Sequence, residues 1–471
     1  MIWPKSSTTT SAPAEGSAPV SALREEYPRR RSGDAATWKP LATNRARGMV
    51  CMNDLMLTQE VHSPQEITCG AQRLREIARQ KEIAPQTVLE VFEQWAAALD
   101  VRELREVPGL AFLRLWLRRG TLEPVLLREL GPDFLNGGWR KDGRARLRAF
   151  PLGVVGHWPA GNIEIQPVLS LTCAFLGGNG CLVRVPRGLL EITQQIMEKL
   201  QEVDRYGVLT ERTFMVSFDH SRTNLHEAMA QAVDGAMIWG GAEAVSQVRK
   251  LPFPHWARVV VFGPRLSVAA MDAEAWGDRA ERSSWCRRIA RDVWQFEQRA
   301  CSSPQALFLE FCDERDPDEF VKDLGEAFQE ENRLHPRRQI EPSLTSGICL
   351  ARALWLLEDA PNRAVFPASP DWTILLGRGT EIPKPTQGRT LSVLLVDDLL
   401  EVISKFDGTV QTLGLAVKSA QREEKLAQAA GRSGVDRVVK MGRMHLFSSP
   451  WDGVDLIRPM VRLVRHVRSQ E

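Results

Sequence analysis

The residues of this chain best suited to covalent chemistry lie in Asp292-Val-Trp-Gln-Phe-Glu-Gln-Arg-Ala-Cys301-Ser-Ser-Pro304-Gln305. Upstream, Trp285, Ile289, Val293 and Phe296 recur at three- and four-residue spacing, which is one face of an amphipathic helix. Ser283 or Ser284 is the expected cap, and Pro304 forbids much continuation past Ser303. Residues 306–311 read as a strand. Cys301 therefore stands in a loop between a helix and a strand. As a thiolate there it can attack an electrophilic carbonyl; burial as a small packing residue is the other common use of a free cysteine.

Three more loops hold residues with chemical potential. In Gly156-His-Trp-Pro159-Ala-Gly161-Asn162, proline and two glycines permit a tight exposed turn, and Asn162 offers a neutral amide donor near a helix start. A plain N-cap is its alternative role. Arg184, Pro186 and Arg187 follow a strand, and two guanidiniums in that place suit an anion or a solvated surface equally. In Trp239-Gly240-Gly241-Ala242 a glycine pair opens a helix, where bare N–H groups and the helix dipole favour a phosphate. No GxGxxG follows the first strand.

The elements that position these loops alternate. Strands are expected at 152–155, 181–185, 213–218, 236–239 and 258–262, with helices at 167–176, 190–203, 225–233 and 242–251. That order predicts a parallel sheet covered on both faces, with ligands at the carboxyl ends of its strands. Past Cys301 the alternation resumes, with strands at 373–376, 391–396, 410–416 and 437–441 and helices at 316–334, 399–406, 421–431 and 457–467, while 336–367 stays unassigned. The expected fold class is α/β, two doubly wound domains with the active site at their interface. The expected division is a disordered tail over 1–47, a helical part of the cofactor-binding domain over 48–150, a dinucleotide-binding core over 151–272, a catalytic domain over 273–440 and a C-terminal helical segment over 441–471.

Composition narrows the function classes. The chain has 471 residues, 43% hydrophobic and 25% charged, and is too long for one ordinary core. A net charge of +2 gives no reason to expect nucleic acid, and no apolar run reaches membrane-spanning length. The eight cysteines show neither CxxC pairs nor a regular framework, so a reduced cytoplasm is expected and no metal is proposed.

Taken together, these motifs resemble the aldehyde dehydrogenase superfamily. Pro159-Ala-Gly161-Asn162 stands where that family has its proline–aromatic–Asn turn, Asn179-Gly-Cys-Leu-Val-Arg184 where it has Asn-Thr-Val-Val-Leu-Lys, and Trp239-Gly240-Gly241-Ala242-Glu243 where it has Thr-Gly-Ser-Thr-Glu. The resemblance makes Cys301 the nucleophile and Asn162 the oxyanion donor. It makes Pro159, Arg184, Trp239, Gly240 and Gly241 cofactor contacts, and sets Arg187 at a position usually held by a ribose-binding Glu. A guanidinium there implies NADPH, through its 2′-phosphate. The family's general-base Glu aligns with Val261 in Val260-Val261-Phe262-Gly263-Pro264-Arg265, so slow release of free acid is implied.

A narrower resemblance is to the LuxC-type acyl-CoA reductases, over roughly residues 140–465. It rests jointly on Gly161-Asn162, Val183-Arg-Val-Pro186, Phe262-Gly-Pro-Arg265, Asp292 with Gln298-Arg-Ala-Cys301-Ser-Ser-Pro304, Gly388-Arg389, Leu413-Gly414, Gly434-Val-Asp-Arg437 and Trp451-Asp452-Gly453. It implies NADPH-dependent reduction of an acyl-CoA or acyl-carrier thioester to an aldehyde through S-acyl-Cys301, with a lowered thiol pKa. It also implies a homo-oligomer and an acyl-activating or acyl-transfer enzyme as partner. Two other classes stay open: a dehydrogenase running towards acid or acyl-CoA, and a non-catalytic scaffold in an acyl-transfer complex. His157 is the only histidine near these loops that suggests itself as a base, and a structural role serves it as well.

Overall fold

The computed structural model describes residues 58–467, apart from 314, 338 and 359–361; the tail expected over 1–47 lies outside them. The first sheet has six parallel strands in the order Gln59–Glu60, Thr213–Ser217, Gly180–Arg184, Val154–Trp158, Gly235–Trp239, Arg258–Phe262. Successive residues of each strand feed opposite cores. Val155, Val183, Met215 and Met237 pack with the helices Pro85–Ala98 and Gln166–Leu176, while Val154, Leu182, Val216 and Ile238 pack with Pro64–Gln80 and Thr223–Gln231. This two-sided burial is why the strands read as continuous apolar runs. Strand order reverses between Val154–Trp158 and Gly235–Trp239, so a crevice opens beyond their carboxyl ends.

The second sheet runs Arg363–Val365, Thr373–Arg378, Thr390–Val396, Pro304–Glu310, Leu266–Met271, Val410–Ala416, Arg437–Lys440, parallel except for its first strand. It too is covered on both faces, with Ala269, Leu307 and Val393 in one core and Val268, Phe308 and Leu394 in the other. The α/β, doubly wound expectation therefore holds. The strand Leu266–Met271, which a division at 272 would give to the first sheet, is central in the second. Only three residues separate it from Arg258–Phe262, too short a connector to mark a boundary in composition.

Two local expectations change. The helix before Cys301 spans Arg279–Trp294 and is capped by Asp278, whose carboxylate accepts from Ala280 and Glu281 N–H at 2.9 and 3.0 Å; Ser283 and Ser284 lie inside it. The helix expected over 457–467 is not formed: Val461–Val467 is a strand, antiparallel to Ala145–Pro151 in a three-stranded sheet with Arg140–Asp142. Ile457, Met460, Val461 and Val464 mimic helical spacing, but the ladder offered by the Ala145–Pro151 backbone decides the outcome. The unassigned stretch contains the helix Pro342–Leu357. Among the described residues no helix is long and apolar enough to cross a membrane.

Candidate active site

The helix ahead of Cys301 stops at Trp294, well before Pro304. Phe296, Glu297 and Gln298 then adopt left-handed conformations with φ of 56, 53 and 60°, each costing about 1 kcal/mol or more for a non-glycine residue. Their side chains hold them there. Glu297 pairs with Arg389, and with Arg337 at 2.9 Å. The buried Gln298 amide donates to the Pro304 and Thr390 carbonyls and accepts from Thr390 N–H, all at 2.8 Å. A final bond from the Ser267 hydroxyl to the Cys301 carbonyl, 2.7 Å, fixes the nucleophile loop to the second sheet.

Cys301, half-buried, lines a cavity of about 620 Å³ together with Asn162, Pro159, Arg184, Trp239, Gly240 and Gly241. Seven residues drawn from four separate loops thus meet in one place. Asn162 spends one amide hydrogen on the Arg299 carbonyl at 3.0 Å, which ties the proline turn to the nucleophile loop and leaves the second hydrogen free. Trp239 forms a wall: its ring stacks on Phe262 at 3.7 Å and its N–H donates to Ser170 at 2.9 Å. Arg187 is the exception among the expected contacts. It is exposed outside the cavity lining and paired with Asp219 at 3.3 Å.

The cavity suits a dinucleotide. Gly241 caps the helix Ala242–Arg249 without a side-chain hydrogen bond, leaving its first N–H groups for a ligand. Nε of Arg184 is buried with no partner, though the same guanidinium reaches the Phe218 carbonyl at 3.4 Å. A buried orphan donor beside a bare helix start fits an anionic group.

The thiol does not have the lowered pKa that nucleophilic use suggested. Loss of water pushes it up to about 11, the Asp452 carboxylate adds to the rise, and a hydrogen bond from Gln411 opposes it. Gln411 Nε2 donates to Cys301 Sγ at 3.2 Å and also to Asp452 Oδ1. His157 takes no part: it is fully buried, its Nδ1 is 2.7 Å from Ser170 Oγ, and burial lowers its pKa to about 3.

Sequence reasoning missed Gln411, which bonds to the sulfur, Asp452, which shares that amide, and the Ser302–His445 pair beside the nucleophile. A signal for Gln411 existed: Gln411-Thr412 are fully buried polar residues at the head of an otherwise apolar strand. Asp452 lies in Trp451-Asp452-Gly453, whose acidic residue before a glycine marks a turn but no partner. The strand Arg258–Phe262 also turns differently from the alignment. Phe262 lines the cavity, whereas Val261 packs on the opposite core beside Val245 and Ile238.

Comparison with known proteins follows this geometry. The sequence pattern of the family described as acyl-CoA reductase (LuxC) matches residues 83–465. The long-chain acyl-protein thioester reductase of Vibrio harveyi is 26% identical over 362 residues, covering 75% of this chain and 71% of that protein. A namesake from Aliivibrio fischeri is 23% identical over 359 residues, covering 74% and 71%. Among solved structures, an aldehyde dehydrogenase from Brucella melitensis biovar abortus 2308 superposes with a TM-score of 0.66 at 13% identity, covering 87% of this chain and 90% of that one. The P. syringae indole-3-acetaldehyde dehydrogenase AldA, in complex with NAD+ and IAA, gives 0.60 at 14%, covering 85% and 88%. These structural likenesses establish an aldehyde dehydrogenase-like fold.

Proposed function

Since the chain belongs to the acyl-CoA reductase (LuxC) family, we propose that it reduces an acyl thioester, carried on CoA or on a carrier protein, to an aldehyde through an S-acyl intermediate on Cys301. One observation carries the reading: Cys301, Asn162 and the bare helix start at Gly240-Gly241 line one cavity between the two sheets. Cys301 attacks the thioester carbonyl and the donor thiol departs. The free amide hydrogen of Asn162 and the Cys301 backbone N–H hold the developing oxyanion.

NADPH, when bound, supplies the hydride that takes the acyl group to the aldehyde level. Gly240, Gly241 and Arg184 would hold its phosphates, Pro159 and Trp239 would flank it, and Arg187 would reach a 2′-phosphate beyond the cavity rim. The water-activating carboxylate of the aldehyde dehydrogenase pattern has no counterpart on the cavity face of Arg258–Phe262, where Phe262 stands instead. Exclusion of activated water keeps the acyl-enzyme for reduction. Phe112, Ile165, Leu169, Phe296 and Phe447 make much of the lining apolar, which suits a long acyl chain such as the names of the relatives carry. The seven described cysteines are free thiols, which suits a cytoplasmic enzyme, and an acyl-activating or acyl-transfer partner and a homo-oligomer belong to the same proposal.

A panel of acyl-CoAs and acyl carriers with NADPH, read by aldehyde formation and by mass spectrometry of Cys301, tests it. Cys301→Ala is expected to abolish both the adduct and the aldehyde. Aldehyde without an adduct, or free acid as the main product, would overturn the proposal.

A further inference from the structure

Nucleophilic attack by a cysteine requires the thiol proton to go somewhere, and the departing thiolate must recover one. The surroundings of Cys301 restrict where. His445 lines the cavity, but both its nitrogens are engaged. Nε2 donates to the Asp292 carbonyl at 2.7 Å, so Nδ1 is the acceptor for the Ser302 hydroxyl at 2.9 Å. Among the described residues, the one carboxylate that lines the cavity is Asp452.

Asp452 is coupled to the sulfur through a shared donor. The Gln411 side chain is fully buried, and its Nε2 carries two hydrogens, one directed to Cys301 Sγ at 3.2 Å and the other to Asp452 Oδ1. A carboxylate only accepts, so it fixes the amide with nitrogen rather than oxygen towards both groups. The Thr412 hydroxyl reaches the other end of the amide at 3.4 Å. Sulfur and carboxylate are therefore at most two hydrogen-bond lengths apart, a span that one water can bridge for proton transfer.

The backbone commits to an acidic or amide side chain at this point. Asp452 has φ of 50° between Trp451 and Gly453, in a turn closed by Trp451 and Val454, a conformation that Asp and Asn tolerate best. The charged groups facing it are Cys301 itself, the buried Arg437, and Arg265, which is already paired with Asp436. Arg437 lies 4.3 Å from the Trp451 ring centre and donates to Thr412 at 3.0 Å and to the Met444 and Leu446 carbonyls at 3.3 and 3.0 Å. Burial, more than any of these, moves the Asp452 carboxyl above its ordinary range, while Gln411, Arg265 and Arg437 pull it back. That places it closer to the pH at which a general base works best.

We propose that Asp452 is the proton carrier of the acyl-transfer step, with Gln411 positioning it against the Cys301 sulfur. This rests on the thioester-reducing reading. In the step, the S–H bond of Cys301 breaks as its sulfur–carbon bond to the acyl group forms, and the proton passes to the Asp452 carboxylate. The donor's carbon–sulfur bond then breaks, and the departing thiolate takes that proton. Nothing is oxidised or reduced, and Asp452 ends as it began. In the resting enzyme the same carboxylate adds to the burial that keeps the thiol protonated, so the nucleophile is released only when a carbonyl is in place to receive it.

Two readouts in Asp452→Asn separate this from a structural role. Asparagine keeps the turn and can still accept from Gln411, but carries neither charge nor proton affinity. Alkylation of Cys301 by iodoacetamide, which reads thiolate content, is expected to become several-fold faster at pH 8. The single-turnover release of CoA thiol from an acyl-CoA, without cofactor, is expected to become about 10²-fold slower or worse. Alkylation and thiol release that rise together, fall together or both stay unchanged would overturn the proposal.

The wild-type enzyme gives a second test free of folding effects. Thiol release is expected to climb with pH through a carboxyl-like ionisation and level off well below pH 11. A rate that rises tenfold per pH unit with the thiol's own ionisation would overturn it. Wild-type enzyme that alkylates yet releases no thiol from any acyl-CoA or acyl carrier would remove the thioester reading and this proposal with it. A wild-type burst that Asp452→Asn preserves would remove this proposal alone.

Discussion

The Ser302 hydroxyl and the His445 ring, 143 positions apart in the chain, are joined by a hydrogen bond of 2.9 Å. Because His445 also donates to the carbonyl of Asp292 at 2.7 Å, this pair clamps the residue after the nucleophile to the end of the helix before it. The Asp292 carboxylate reinforces the clamp by accepting from Gly442 N–H at 2.6 Å and Met444 N–H at 3.4 Å.

That clamp has a pH signature. Burial lowers the His445 pKa from 6.5 to about 4, with only partial compensation from its bond to Asp292. Below pH 6.5 the unfolded chain binds a proton that the native ring refuses until about pH 4, so stability is lost as pH falls through that window. The stability of the wild type relative to His445→Gln is expected to fall by about 1.4 kcal/mol per pH unit there. Urea titrations of the two proteins at pH 7, 6, 5 and 4.5 measure the difference; a constant difference would refute the assignment.

Asn162 holds its amide against the Arg299 carbonyl with one hydrogen and has the other free at the cavity. Asn162→Ala is expected to slow the first turnover by about 10²–10³, while the alkylation rate of Cys301 stays within a factor of about two of wild type. Stopped-flow thiol release and an alkylation time course separate a lost oxyanion donor from a displaced nucleophile loop.

At Gly241 space and function part company. Its φ of −69° and ψ of 170° suit any residue, and a methyl placed there meets no atom within 4 Å. Gly241→Ala should therefore fold with an unchanged melting temperature. If the helix start holds the cofactor's phosphates, the added methyl stands where they approach, and KM for NADPH is expected to rise about tenfold with little change in kcat. An unchanged KM would place the phosphates elsewhere.

Much of this fold is legible in residue order, because both sheets are buried on two faces and their strands appear as short apolar runs. Pro159, Asn162, Trp239, Gly240 and Gly241 could be found because each lies at or shortly past the end of such a run. The strand Val461–Val467 was hidden for the opposite reason: with one face exposed, its alternation includes enough three- and four-residue spacings to pass for a helix. The immediate neighbours of the sulfur were hidden by distance in sequence. Gln411 and Asp452 lie 110 and 151 positions beyond Cys301, and only the closure of the second sheet brings them to it. Local pattern has no access to such contacts, nor to the burial that raises the thiol pKa.

Arg187, expected as a cofactor contact, has a protein partner of its own. Its guanidinium lies 3.3 Å from Asp219, whose carboxyl is held below its usual range chiefly by the N–H and hydroxyl of Ser221. A 2′-phosphate must compete with that carboxylate for the guanidinium. Arg187→Glu is expected to cut kcat/KM with NADPH by about tenfold or more relative to NADH, and Asp219→Ala to shift the ratio towards NADPH. Initial rates with both cofactors check this, and an unmoved ratio in both variants would exclude the pair from cofactor choice.

The last prediction concerns the carboxylate that the strand Arg258–Phe262 does not supply to this cavity. Alternation along Arg258–Phe262 puts Phe262 in the cavity wall, stacked on Trp239 at 3.7 Å, and turns Val261 towards the other core. A glutamate at 261 would thus enter an apolar cluster and lose stability, without reaching an acyl group on Cys301. A glutamate at 262 would stand at the cavity and could draw a proton from water, a role worth about 10²–10⁴ in rate when well placed. Phe262→Glu is expected to raise release of free acid from the acyl-enzyme by at least about tenfold, and Val261→Glu to leave it unchanged while lowering the melting temperature. Chromatography of acid and aldehyde after a single turnover decides between the positions. Acid release gained at 261 instead would mean that the strand presents its other face to the substrate.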